Sequence, residues 1–196
     1  MEPARMIWDV DVLEVRQRNK RPLIAGRFPY GALAVMSDRG TVRKETFNAG
    51  AFAFALADET RDIHLLFGHD YGKPLASRQA GNLTLEDTEK ALEFFAEIPE
   101  GAERATHITD ALAMIGAGLV TGVSPGFRVP PKDVVADAET LVPEPGNPSV
   151  KIRQIAHAVL YELSLVTRPA YPSTSAELRK MSCNQLHGTP HRVILP

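Results

Sequence analysis

Val159-Leu160-Tyr161-Glu162-Leu163-Ser164-Leu165-Val166 sets a carboxylate inside an otherwise apolar, strand-like run. In a regular strand successive side chains alternate between faces. Leu160, Glu162, Ser164 and Val166 then share one face, and Tyr161, Leu163 and Leu165 share the other. Both faces are largely apolar, which predicts a central strand or a barrel strand covered on both sides. Burying a lone carboxylate there costs several kcal/mol, so Glu162 needs a partner. Two kinds of partner stay open. One is a structural pair with an arginine such as Arg128 or Arg168. The other is the Nδ1–H of His69, which would make Glu162 part of a catalytic set.

Two remote segments bear on that choice. Ile63–Phe67 reads as a compact apolar strand that ends in Gly68-His69-Asp70, where the glycine permits close approach of another chain or a substrate. Val120–Phe127 reads as strand and turn. It carries Ser124 on one face with Val120 and Gly122, and Gly122 leaves open space beside the hydroxyl. Pro125 fixes the backbone after Ser124 and removes a competing donor. The flanking glycines do not have the offsets of a G-x-S-x-G elbow. A serine hydroxyl needs a base to take its proton, and that base needs a group to hold its tautomer. Ser124, His69 and Glu162 are the minimal set for that work. Each also has a plain reading: a turn serine before Pro-Gly, a structural histidine, a paired charge. The other histidines are His64, His107, His157, His187 and His191, and no HExxH or CxxC spacing points to a metal. Neither a metal nor a cofactor is expected.

The rest of the chain narrows the class. Its 196 residues suit one domain, and an apolar share of 44% with 23% charged residues is that of an ordinary globular protein. A formal charge of −2 gives no electrostatic reason to expect nucleic acid, and Arg16, Arg18, Lys20 and Arg21 read as a solvated loop. Cys183 alone makes no internal disulfide, which suits a reducing cytosol. The opening residues lack the apolar core of a signal peptide, and no apolar run nears the roughly 20 residues of a membrane span. Strands are expected at Ile7–Val15, across Leu23–Met36 with a break at Pro29-Tyr30-Gly31, and at Thr41–Phe47. A turn at Asn48-Ala49-Gly50 precedes a short helix over Ala51–Ala57. Thr84–Ile98 fits a helix by propensity, or a hairpin turning near residues 87–90. Thr106–Gly116 predicts a helix capped by Thr106 or Thr109. Val129–Pro148, rich in Pro and acidic residues, predicts a long surface loop. Val150–Ile155 and Val159–Val166 predict strands that run together through residues 156–158. A short helix and a mobile tail are expected from Ser173. Together these predict a mainly β core, a closed barrel with helices outside.

The combination of GHD after an apolar strand, GVSPGF after a helix and YELSLVTRPAYP near the end resembles the phage prohead protease family of the HK97 type. Phe47–Phe52, FNAGAF, resembles a further signature of that family. The likeness spans residues 8–175. It implies a serine endopeptidase that trims capsid and scaffold proteins inside an immature bacteriophage or prophage shell, in the host cytoplasm. His69 is then the general base, Ser124 the nucleophile and Glu162 the orienting carboxylate. The implied fold is that of the herpesvirus assemblin proteases, a β-barrel ringed by helices, and those relatives suggest a homodimer. Substrates would be the major capsid protein, scaffold segments and the chain itself. Residues 1–175 form the protease domain and residues 176–196 a tail open to self-cleavage. In the family the stretch matching Leu83–Ile98 resembles a hairpin, which leaves helix and hairpin evenly balanced. Assemblins use a second histidine as third member, so His157 is a rival to Glu162. Alternation sets it on the opposite face, and the motif falls on Glu162. Backbone amides near Thr167 and Arg168 are the oxyanion donors by the same analogy. A non-catalytic capsid scaffold or assembly protein on the same fold is the alternative reading, and an esterase or amidase unconnected with capsids is a further one.

Overall fold

The structure, a computed structural model, describes residues 13–18, 21–38 and 41–167. Short alternating runs punctuated by Gly and Pro fold as strands. They are β1 (Glu14–Arg18), β2 (Arg21–Pro29), β3 (Ala34–Asp38), β4 (Thr41–Phe47), β5 (His64–Phe67) and β6 (Asp70–Ser77). After these come β7 (Leu83–Asp87), β8 (Ala91–Glu97), β9 (Gly122–Arg128), β10 (Glu139–Glu144), β11 (Asn147–Ile155) and β12 (Val159–Val166). The helices are α1 (Ala53–Ala57) and α2 (Thr106–Gly116). No helix among the described residues is long and apolar enough to cross a membrane.

The strands form three four-stranded sheets, ordered β1-β2-β8-β7, β10-β11-β4-β3 and β6-β5-β12-β9. The mainly β expectation holds. The closed barrel does not: each sheet keeps its own edges among the described residues. The reason lies in the corners. The turn at Tyr30-Gly31, with Gly31 at φ 73°, ends β2 in the first sheet and starts the chain towards β3 in the second. Residues 156–158 do the same between β11 in the second sheet and β12 in the third. The strands on either side of 156–158 are therefore separate, not continuous.

Aromatic rings from all three sheets meet in the core. Phe28 of β2 lies edge-on to Phe47 of β4 at 5.3 Å, and Phe47 meets Phe127 of β9 at 4.8 Å. Phe52, at the start of α1, stacks on Phe47 at 5.1 Å. Such offset and edge-to-face pairs add about 0.5–1.5 kcal/mol each beyond their burial. The FNAGAF segment therefore supplies two rings of this junction. Its backbone also holds the β11–β12 corner: Asn48 N–H donates to Ile155 O (2.9 Å) and Ala158 N–H to Ala51 O (2.8 Å).

Several local expectations resolve. Leu83–Glu97 is a hairpin: Leu92, Phe94 and Ala96 are buried at every second position, a strand period. Gly26 lies opposite Phe94 in the neighbouring strand and makes room for its ring. Within the expected loop 129–148 lie β10 and the start of β11, paired as a hairpin whose turn holds Gly146 at φ 82°. Edge position tolerates Pro143, since a proline with its nitrogen facing away from the partner costs no ladder bond. Helix α2 has the expected span, but Ala105 is its N-cap and neither threonine caps it. Thr109 Oγ instead donates to Glu103 O at 2.8 Å. Most of the strand expected at Ile7–Val15, and the helix and tail expected from Ser173, lie outside the described residues.

At Gly26 a Cβ would stand 2.6 Å from Phe94 Cζ, and that ring is fully buried. Gly26→Ala is expected to cost about 1–3 kcal/mol by overpacking, read as a lower denaturant midpoint. Phe94→Leu should give the new methyl room, so the double variant loses less than the sum of the single losses.

Candidate active site

The third sheet gathers the three predicted residues. Its central strand β12 runs parallel to β5 and antiparallel to β9. Glu162, 4% exposed, sits on β12. His69 follows β5, and its Nδ1 lies 2.8 Å from Glu162 Oε1. Ser124 lies on β9 directly opposite Ser164 of β12. Opposed residues in an antiparallel pair project from the same face, with Cβ atoms about 4.5–5.5 Å apart. Ser164 in turn shares a face with Glu162, because its hydroxyl donates to Glu162 Oε2 at 2.6 Å. Ser124, Ser164, Glu162 and the imidazole of His69 therefore occupy one side of one sheet.

The turn that carries His69 is unusual. Phe67 and Asp70 pair across it, so Gly68 and His69 form a two-residue hairpin loop. Gly68 has φ 69° and His69 φ 61°. Positive φ at both central positions is the type I′ arrangement whose twist matches the flanking strands. His69 is the one non-glycine residue with positive φ among the described residues. The left-handed conformation costs an ordinary side chain about 1–2 kcal/mol. Two hydrogen bonds to β12 help hold it: Gly68 N–H donates to Leu165 O (3.1 Å), and His69 N–H donates to Ser164 Oγ (3.0 Å). Gly68 thus serves turn geometry. A Cβ placed on it would meet nothing within 4 Å, so no other part of the described chain packs closely against it. Asp70 points elsewhere, bonding Gly72 N–H (2.8 Å) and pairing with Lys73 (3.2 Å), and these hold its carboxyl below the usual range.

Burial of Glu162 depends on two features beside it. The register shifts between Leu160 and Glu162, so Tyr161 is an extra residue, a β-bulge. Leu160 therefore faces Phe127 and the core, not the face of Glu162 as regular alternation predicted. Opposite Glu162 stands Gly126, where a Cβ would collide with the carboxylate, 2.7 Å from Cδ. Ser164 and Gly126 are functional candidates that sequence reasoning did not assign. Their signals were present: a serine two residues after a buried acid, and a glycine in the facing strand.

The rival partners separate cleanly. Arg128 does not pair with Glu162; its guanidinium lies 5.8 Å from the centre of the Tyr161 ring. Arg168 lies outside the described residues. His157 is exposed in the β11–β12 corner, before β12 begins, with its N–H bonded to Ala138 O. The alternation used against it does not apply, since the bulge and the corner intervene. Of the two, Glu162 is the one that contacts His69. His64 is paired with Asp62 (3.3 Å), and His107 Nε2 lies 2.9 Å from Pro74 O. Among the described residues no group of His, Cys, Asp and Glu is arranged to hold a metal. Thr167 is exposed just past β12. Burial, then the charge of Glu162, pushes the Tyr71 phenol above its ordinary value, so it stays a neutral neighbour of the site.

A buried carboxylate bonds an imidazole on the sheet face that also bears a serine, the three residue types that a serine hydrolase needs. The chain matches the Caudovirus prohead serine protease family over residues 28–189 and belongs to it. No curated protein and no solved structure matches it. Membership supports a protease role in capsid maturation within the assembling prohead.

The left-handed turn yields a stability test. Asparagine tolerates positive φ far better than a β-branched residue. His69→Asn is expected to unfold at a higher denaturant concentration than His69→Val, by about 1 kcal/mol or more. Equal stabilities would contradict the turn geometry.

Proposed function

We propose that this chain is a serine endopeptidase in which Ser124, His69 and Glu162 act together on capsid precursors. The observation that carries the reading is the bond from the buried Glu162 carboxylate to His69 Nδ1, on the sheet face that Ser124 shares. With Nδ1 held, the other ring nitrogen, Nε2, is the one available to the serine. Ser124 Oγ attacks the peptide carbonyl as His69 Nε2 takes its proton. The proton passes to the leaving amine as the C–N bond breaks. Water, activated by the same imidazole, then hydrolyses the ester to carboxylic acid and free Ser124. Glu162 keeps the tautomer and stabilises the charged ring. A positioned base contributes about 10²–10⁴-fold. The substrates assigned are the major capsid protein, scaffold segments and the chain's own tail after residue 175. Backbone amides near Thr167 and Arg168 are the candidate oxyanion donors by resemblance to assemblins, and a homodimer is the assembly those relatives suggest.

Ser164 completes the arrangement as a positioning residue. Its one hydroxyl donates to the second oxygen of Glu162 and accepts the backbone N–H of His69, in full burial. It thus ties the carboxylate to the strained turn that presents the imidazole.

Two experiments test this reading. Ser124→Ala should fold, fail to cleave the capsid precursor and fail to take up a labelled fluorophosphonate probe. Normal processing by that variant removes Ser124 as nucleophile, and a wild-type chain inert to the probe favours a scaffold role. Ser164→Ala should lower kcat about tenfold or more with KM little changed, and should weaken the downfield NMR signal of the His69 Nδ1 proton. If stability alone falls, while kcat and that signal persist, Ser164 is structural only.

A further inference from the structure

Three cavities run on from Glu162 and share walls. The first, about 430 Å³, is lined by Glu162, Tyr71, Tyr161 and Arg128 among others. Phe127 and Arg128 also wall the second, about 440 Å³, which continues past Lys132 to Arg153. Phe127 and Arg153 in turn wall the third, about 990 Å³, which reaches Lys151 over β10 and β11. The series leaves the active face at the end of β9 and crosses onto the second sheet. An extended peptide advances about 3.3 Å per residue, and single cavities of about 300–1,000 Å³ hold ligands of drug size. Together the three have room for several consecutive residues of an extended chain.

Their charges are unevenly satisfied. Every carboxylate along the series has a partner. Glu162 is held by His69 and Ser164. Glu139 is held by Arg153, which also lies 3.3 Å from Glu45, and Glu144 is held by Lys44. The cations are not all so matched. Arg128, Lys132 and Lys151 are exposed, and no carboxylate among the described residues pairs with them. Arg128 rests on the Tyr161 ring, a contact that orients its guanidinium without neutralising it.

We propose that this series is the groove for the substrate polypeptide on one side of the scissile bond, and that it selects acidic segments through Arg128, Lys132 and Lys151. The proposal rests on the peptidase reading of the site. Its chemistry is additive and screened: three exposed pairs, each weak alone, together favour an acidic chain by about tenfold at low salt.

The test uses full-length Ser124→Ala protein and fluorescence anisotropy with a labelled peptide rich in Glu, beside the same peptide with Gln at every Glu. The acidic peptide should bind about tenfold more tightly, and added salt should close the gap. Charge reversal in Ser124→Ala/Arg128→Glu/Lys132→Glu/Lys151→Glu should invert the preference. Equal binding of both peptides, no binding of either, or a preference unchanged by charge reversal in a folded variant overturns the proposal. Failure of the catalytic reading has a different signature: Ser124→Ala would still cleave the precursor while the binding preference persists.

Discussion

One buried carboxylate organises the third sheet. Glu162 is nearly inaccessible to water, and a charge in that position is tolerable only when both oxygens are matched. His69 takes one and Ser164 the other. Space for the acid comes from the absence of a side chain at Gly126. Its neighbours on β12 are kept in register with the core by the bulge at Tyr161, which lets Leu160, Leu163 and Leu165 all pack inward. The same acid thus depends on β5, β9 and its own strand at once. Truncating a partner of such a group is costly because the remaining charge stays buried.

Strain enters at the other end of that bond. His69 occupies a backbone conformation that glycine would adopt freely, and the sequence keeps histidine there. The cost is offset locally, since the amide of His69 and the amide of Gly68 both bond to β12. A two-residue turn has little freedom to swing, so the imidazole is presented in one direction. Rigidity of this kind suits a base that must meet its partner's proton within hydrogen-bond reach. Strained residues persist where surrounding contacts over-determine them, and here one of those contacts, Ser164 Oγ, also donates to the carboxylate that holds the imidazole.

Much of this was legible in the sequence, for physical reasons that also mark where legibility ended. A lone acid in an apolar run announces a partnered charge, and GHD after an apolar strand offers the partner. Helix α2 was legible because its period is unbroken, and β4 and β5 because each ends at turn residues, β5 after a short apolar run. Strand faces around Tyr161 were not legible: one inserted residue reverses alternation, and nothing in Val159–Val166 distinguishes a bulge from a regular strand. The rejection of His157 on face grounds rested on that same regularity. Strand β10 hid behind Pro143 and its acids because edge strands tolerate both. The hairpin at 83–97 was obscured by good helix formers: Glu86 and Glu93, which here lie on the outer side of the strands, and Lys90, which lies in the turn. Closure of the barrel was misjudged because strand count does not reveal which corners carry the chain from sheet to sheet.

Those corners explain a signature that lies away from the chemistry. FNAGAF carries no group that touches Glu162, His69 or Ser124 among the contacts described. Its phenylalanines join the three sheets, and its backbone bonds Ile155 and Ala158 on either side of the β11–β12 corner. Where that corner is fixed, β12 begins, and the distance from Val159 to Glu162 is then set by the chain. A shift of one residue at this corner would turn the carboxylate into the core and a leucine towards His69. The bulge at Tyr161 and the clamp at Ala51 therefore act as a pair: the clamp sets the starting point and the bulge sets the phase. On this view the aromatic junction bears on the site through register, a constraint that distance from the active face does not weaken.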